Sequence, residues 1–469
     1  METRYAERLS RYVTALRNEQ PDRIPIRPFV AEFAAAYAGY TCQDVTHDYE
    51  RAFAAVRRCA ADFDWDAIVG NLVYVWSGLT EALGLKYYAV PGIHLEPNIA
   101  FQYVEPPEHA AFMRPDEYDA LIADPTAFLY NVWLPRVTRD VAPPGEPATY
   151  HSHLSFAKGG MAMMRYFAAL GQQNARLRSE CGMPPAIAGI LKAPFDILAD
   201  KLRGYVGLTK DMFVRPAKVL AACEALQPHL LQIALSTADP EKLVPIGFWM
   251  HRGCVPFVRP EQFDSHYWPT LRPIIEELWA RGHQTLFYAE GDWTHHLDRF
   301  ATLPDRSIVF HLDRTDIQQA QNKLGHKFCL SGGIPNTVLA AGSPDEVRAH
   351  CRRVIDALAG DGGYVMDASA IVQNDARVEN VRALTEFTRE YGVYSSGSSR
   401  VVPAPTTESC RAAESSATAQ PARPGVCIPW EQKLRALPAI QGDIELVRRV
   451  WEDVDALGHA YIWHCLVSF

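Results

Sequence analysis

The chain has 469 residues, 48% of them hydrophobic and 22% charged, with a formal net charge of −9. That is the composition of a folded globular protein. The negative balance without any basic stretch excludes a nucleic-acid partner, and no apolar run reaches the roughly 20 residues that a membrane helix needs. The opening METRYAERLSRY is charged and amphipathic, without the apolar centre of a signal peptide, so a cytoplasmic protein is expected. Ten cysteines are scattered with no C-x-x-C pair. They read as small buried hydrophobes, not as a zinc or disulfide framework.

Residues 5–19 pattern as a helix ended by Gln20-Pro21-Asp22, and residues 23–30 (RIPIRPFV) follow as a first strand. A helix over 48–62 precedes a second strand over 67–75. Residues 84–150 are rich in proline, tyrosine and acids. They are expected to form an excursion over the mouth of the fold, helical near 115–123. The stretch 159–179 patterns as a strong helix whose methionine and aromatic stripe is expected to be core. A third strand over 187–196 (IAGILKAPFD) leads to a helix over 216–226. Five apolar runs then occupy 244–251, 285–292, 307–313, 327–335 and 364–371, separated or followed by helices over 260–281, 315–324, 343–359 and 378–391. Ser343-Pro344-Asp345-Glu346 sets a capping serine, a first-turn proline and acids where a helix N-terminus favours them.

Short apolar runs bounded by turns suit strands buried on both faces of a parallel sheet. Eight of them alternating with helices predict an α/β fold, a (β/α)8 TIM barrel with an N-terminal helical segment and a loop excursion after the second strand. A doubly wound sheet is the competing topology. It would want a glycine-rich turn after the first strand, and none is present. Residues 1–394 form the expected barrel. Residues 395–425 are a Ser/Ala/Pro-rich linker or loop, and residues 426–469 a C-terminal extension packed on the barrel or on a partner subunit.

Barrel active sites form at the C-terminal ends of strands. Asn71, in the second strand, is placed to orient a polar substrate group. Asp196 ends the third strand. His251 ends the fourth and is followed by Arg252. Tyr288, Glu290 and Asp292 lie on or just past the fifth, His311 and Asp313 end the sixth, Cys329 lies in the seventh and Asp367 in the eighth. Converging carboxylates and imidazoles serve acid/base chemistry. Catalytic roles are therefore expected for Glu290, His251, Asp292 and Tyr288. Substrate contacts are expected from Asn71, Asp196, Arg252, His311, Asp313 and Asp367. His251, Glu290 and His311 also make up a nitrogen and oxygen set of the kind that holds catalytic zinc. Against these readings, His311 and Cys329 sit in apolar runs that a helix layer would also bury. His295 and His296 are expected to face solvent on a helix. Glu290 and Asp292 repel each other at a buried strand end, which a structural role explains poorly; Arg252 would offset that charge. Tyr74, Trp76, Tyr87 and Tyr88 suit either an aromatic substrate or lid packing. The Ser331–Pro335 stretch (SGGIP) would let backbone approach an anion. No GxSxG elbow, P-loop, H-E-x-x-H or G-x-G-x-x-G motif is present.

Four stretches carry a resemblance to a known family. Residues 15–26 (ALRNEQPDRIPI) resemble an "ALRGEKPDRVPV" opening. Gln262-Phe263 through Tyr267-Trp268-Pro269 resembles an "eqF…ywP" helix. Residues 331–335, with Leu339 and 342–347 (GSPDEV), resemble "GNvdp…L..GTPEEV", and Gly362-Gly363-Tyr364 with Glu379-Asn380-Val381 resembles "GGfil…eNi". Together they resemble the uroporphyrinogen decarboxylase superfamily over roughly residues 10–394. That superfamily includes decarboxylases and corrinoid-dependent methyltransferases, and the resemblance implies one barrel with its site at the strand C-termini.

The departures from the family pattern direct the expectation. Porphyrinogen decarboxylases carry an arginine-rich "MRQAGR" segment after the first strand; here it reads Arg27-Pro28-Phe29-Val30-Ala31-Glu32-Phe33. The thiol-methylating branch holds zinc with H-x-C after strand five and a cysteine on strand eight. Here those positions read Tyr288-Ala289-Glu290 and Ala370. Zinc on harder ligands stays open. The resemblance then implies the catalytic subunit of a cobalamin-dependent methyltransferase. It would move a methyl group between a corrinoid and an apolar or aromatic substrate, a phenol or methyl ether. The alternative is a decarboxylase of a small or tetrapyrrole carboxylic acid. No D-x-H-x-x-G motif is present, so the cobalamin is expected on a separate corrinoid-binding protein. A homodimer is expected from the resemblance.

Overall fold

A computed structural model describes residues 1–69, 80–394 and 423–468. A small antiparallel hairpin, β1 (Tyr88–Ala89) and β2 (Gln102–Tyr103), precedes the main sheet. That sheet holds β3 (Ile190–Lys192), β4 (Ile246–Met250), β5 (Thr285–Ala289), β6 (Ile308–Leu312), β7 (Cys329–Gly332) and β8 (Tyr364–Val365), all parallel and in chain order. Helices Pro216–Ser236, Trp268–Ala280, Pro344–Leu358 and Val378–Tyr391 cross back over its outer face.

Both sheet faces are buried, so the strands read as continuous apolar runs. Phe248, Phe287, Phe310 and Leu330 point outward into one core with the helices. Trp249, Leu286, Tyr288, Val309, Cys329 and Val365 alternate with them and point inward into a second. Residues 23–30 and 66–69 carry the ring from β8 round to β3. Arg27 N donates to Met366 O (3.0 Å), Asp66 N to Ile26 O (2.8 Å) and Ala186 N to Ile68 O (2.8 Å). Single parallel bridges, Ile26–Met366 and Ile68–Pro185, stand where ladders were expected. Pro25, Pro28, Pro184 and Pro185 remove the amide donors that a ladder requires. The rest of the expected second strand, with Asn71 and Tyr74, and Trp76 just after it lie outside the described residues.

The helix Glu2–Leu16 closes the N-terminal end of the barrel. Its Tyr12, Ala15 and Leu16 enter the inner core, Tyr12 Oη donates to Ala186 O (2.9 Å), and Gln284, just before β5, donates to Leu16 O (2.7 Å). Only the opposite end is left for a site. Pro344–Leu358 starts as expected. Ser343 Oγ accepts from Glu346 N (3.3 Å), and the Glu346 carboxylate accepts from Ser343 N (2.7 Å).

Two expectations are corrected, and one alternative left open is decided. The helix Tyr150–Cys181 buries Met163 and Tyr166 but leaves Met161 and Met164 70% and 71% exposed; it lies on the surface, and only part of its stripe is core. His296 is buried and stacked 3.9 Å from the Phe263 ring. Tyr87 packs rather than faces a substrate. It caps Lys201 O (2.5 Å), Tyr103 caps Asp200 O (2.5 Å), and Trp133 Nε1 also donates to Lys201 O (2.9 Å), which anchors the excursion to the turn after β3.

The C-terminal helix Ile444–Ser468 buries Ile462, Trp463, Cys465 and Leu466 against the barrel. At its seam with Pro216–Ser236, His229 Nδ1 and His459 Nε2 share a hydrogen bond of 3.0 Å, and the Trp463 ring stacks on His229 at 4.7 Å. Burial lowers His229 to about 4. Burial and the neighbouring histidines lower His459 to about 3. Both rings are neutral in the fold, whereas in the unfolded chain each takes a proton below about 6.5. Protons therefore favour unfolding. The stability contributed by the pair is intact above that value and falls as pH drops toward 4, by roughly 3 kcal/mol for each ring. Thermal melts from pH 7.5 to 4.5 are expected to show a slope of this sign, to which the buried His296 and His311 and the partly buried His464 also contribute, and a His229→Leu/His459→Leu protein to lose the share of this pair.

Candidate active site at the carboxyl ends of the strands

Parallel register sets Trp249 beside Tyr288, Tyr288 beside His311 and His311 beside Ser331. This is one inward layer. Two residues further along each strand, the next layer is His251, Glu290 and Asp313, by the two-residue period of a strand.

The lower layer is a locked polar and aromatic network. Asp367 accepts from Phe29 N (3.2 Å) and Ala368 N (2.7 Å) and pairs with Arg27 Nη2 (3.0 Å); both side chains are buried. Burial pushes the Asp367 carboxyl up to about 7 against the pull of Arg27. Arg27 Nη2 also donates to Ser331 Oγ (3.1 Å), which lies 3.0 Å from His311 Nδ1, while His311 Nε2 lies 3.0 Å from Ser369 O. A carbonyl only accepts, so Nε2 carries the proton and Nδ1 accepts from Ser331. Burial and the nearby Arg27 charge keep the ring neutral. It stacks flat on Tyr288 at 4.0 Å. Gly332 makes room for it: at φ +85° any Cβ would lie 2.8 Å from His311 Cε1. Phe29, Trp249 and Tyr288 close the layer with ring centroids 4.7–4.9 Å apart.

The upper layer gathers on Asp200, a residue that the sequence reading passed over. It lies on the helical turn after β3, with His251 Nε2 at 2.8 Å, Arg252 Nε at 2.7 Å and Lys192 Nζ at 3.1 Å. Burial opposes its charge, but His251, Lys192 and Arg252 outweigh that and hold the carboxyl well below its usual range. Burial alone would strip His251 of its proton; the Asp200 charge and hydrogen bond prevail and raise its pKa above the ordinary value. With Nε2–H given to Asp200, His251 Nδ1 is buried with no hydrogen-bond partner among the described residues. Glu290 stands close by. Burial raises its carboxyl, with His251, Lys192 and the Trp249 hydrogen bond pulling back. Trp249 Nε1 donates to Glu290 Oε1 (3.2 Å).

Other expected residues have different roles. Asp196 lies in the helical turn Pro194–Ile197, because Pro194 ends the strand early. It accepts from His251 N (3.0 Å), Arg252 N (2.9 Å) and Tyr267 Oη (2.6 Å), and so shapes the β4 loop instead of meeting a substrate. Arg252 pairs with Asp200, not with Glu290 and Asp292, and lies over the Tyr205 and Phe257 rings. Asp292 turns away from Glu290 to cap Thr294 N (2.9 Å). Asp313 accepts from Gly291 N (2.7 Å) and steadies the Glu290-Gly291-Asp292 turn, where Gly291 has φ +92° and a Cβ would strike Cys254 Sγ. The missed residues left signals. Asp196 and Asp200 are spaced i, i+4, one helical turn apart, and Lys192 and Trp249 share the inward parity of their strands.

His251, Glu290 and His311 do not assemble as a metal site. Both His311 nitrogens are engaged, so it has no free lone pair. Asp196, Asp200 and His251 do bring ligand atoms within 4.8 Å of one another. Lys192 and Arg252, however, already occupy the Asp200 oxygens, and a dication would have to displace two cations. The donor set does not fit zinc. Metal analysis of the purified protein is expected to find well under one equivalent, with activity unchanged by chelator.

Residues 167–391 match the family described as uroporphyrinogen decarboxylase. That match spans just under half of the chain. The matched span holds β3–β8, and hence Asp200, His251, Glu290 and Asp367. Among solved structures, a methyltransferase from Methanosarcina mazei shares the fold of this chain with a TM-score of 0.55 at 15% identity, covering 81% of this chain and 98% of that one. A B12-independent methionine synthase from Shewanella sp. W3-18-1, solved with selenomethionine, aligns at a TM-score of 0.32 and 12% identity over 47% of this chain and 65% of its own. No curated protein matches the chain.

Proposed function

We propose that this enzyme is the catalytic subunit of a cobalamin-dependent methyltransferase. It moves a methyl group between a phenol or aryl methyl ether and a corrinoid carried by a separate protein. One observation carries the reading: Asp200 raises the pKa of His251, whose Nδ1 has no hydrogen-bond partner among the described residues and lies 3.9 Å from Asp196 Oδ1. When an ether gives up its methyl group, the C–O bond breaks and the oxygen keeps the bonding pair. The oxygen then needs a proton, and His251 Nδ1–H is positioned as the donor. In the reverse direction the same nitrogen takes the phenol proton. Glu290, raised by burial, is a second proton carrier beside it. The corrinoid, when bound, supplies the metal centre that accepts or gives the methyl group. What this chain must add is positioning and proton control, and the Phe29, Trp249 and Tyr288 rings offer an aromatic wall below the rim. No described helix is long and apolar enough to cross a membrane; a cytoplasmic homodimer goes with this reading.

Incubation with 2-methoxyphenol and reduced cobalamin is the direct test. Loss of the reduced-cobalamin absorbance together with catechol formation is expected. Carbon dioxide release from a carboxylic acid without any corrinoid would replace this reading by the decarboxylase one.

A further inference from the structure

Trp249 stands between the two layers of the site. It points inward from β4, its ring is packed by Phe29 (4.9 Å) and Tyr288 (4.7 Å), and its only polar atom donates to Glu290 Oε1 at 3.2 Å. An indole N–H donates and never accepts. It therefore tolerates a bare oxygen opposite it and rejects a hydroxyl turned its way. We infer that Trp249 is a positioning residue that assigns the two oxygens of Glu290: Oε1 stays the acceptor, and any proton sits on Oε2. A carboxyl free to rotate would present either oxygen, and half of its protonated population would be misdirected. The aromatic packing keeps the indole from turning, so the assignment costs no rearrangement during the reaction.

The groups that face Glu290 support this division of labour. His251 and Lys192 favour its charge and Asp313 opposes it, but all three act on the carboxyl as a whole. Only Trp249 makes a directional contact with a single oxygen among the described side chains. The inference rests on Glu290 serving as a proton carrier in methyl transfer, and its geometric half is testable without that reaction.

In the 1H–15N spectrum of the free protein, the indole resonance absent from Trp249→Phe should lie downfield and should move in Glu290→Leu. An unmoved resonance overturns the inference even if methyl transfer proceeds normally. A moved resonance in a protein without methyl transfer sinks only the functional reading. In the reaction, Trp249→Phe keeps the ring packing and is expected to lower kcat about tenfold, with KM within about twofold, as for loss of one hydrogen bond to an ionisable group. Trp249→His, which restores an N–H, should regain part of kcat. Unchanged kcat in Trp249→Phe, or equal losses in both variants, would overturn the positioning role.

Discussion

Replacing His251 by glutamine is expected to lower kcat of methyl transfer about 10²–10³-fold, because the leaving oxygen loses its proton donor. The effect should shrink for substrates whose phenol is more acidic, since these leave without help. Asp200→Asn is the sharper experiment. His251 has a raised pKa because Asp200 outweighs burial, so the acid form persists to higher pH in the native enzyme. If the proposed function holds, activity in the demethylating direction is expected to fall as pH rises through the His251 pKa. Without the carboxylate, burial dominates and the pKa drops, and the alkaline limb of the kcat profile should move acidward by more than about one pH unit. The same coupling appears in stability. The His251–Asp200 contribution is complete below the ordinary histidine value near 6.5 and is lost as pH rises through the folded pKa. A limb that stays in place in Asp200→Asn would remove His251 from the acid role. Lys192 and Arg252 would remain in the variant as uncompensated cations, so its melting temperature should be recorded alongside.

The second large effect is on stability. Arg27→Met is expected to cost about 3–5 kcal/mol, because it strands the Asp367 carboxyl in the barrel interior. Asp367 is fully enclosed, and its remaining donors are the Phe29 and Ala368 amides. Ser331 loses a donor in the same substitution. The penalty should be smaller at pH 5 than at pH 8, since the carboxyl, already pushed up to about 7 with Arg27 present, takes a proton more readily without it. Arg27→Met/Asp367→Asn should recover most of the loss, as removing both charges costs less than orphaning one. Urea unfolding at the two pH values measures this directly. A single-variant loss below about 1 kcal/mol would mean that solvent reaches the pair.

Much of the barrel was readable from the chain alone. Runs such as 285–292 and 307–313 announced buried strands because a parallel sheet buries both faces, and the capping box at Ser343 announced a helix start because it is satisfied within four residues. Strand parity also set His251 and Glu290 on one rim, since inward positions recur every second residue. What eluded the chain alone was contact between elements. Asp200, a helical turn past a strand shortened by Pro194, becomes the hub of three cations through the folding of the β3 and β4 ends against each other. His311, which in the sequence looked free for a metal, has both nitrogens taken, by Ser331 of β7 and by the Ser369 carbonyl just past β8. Local propensity and periodicity act over a few residues and are written in order. Charge pairing, tautomer and burial depend on neighbours tens to hundreds of positions away, and those distances exist only once the ring has closed.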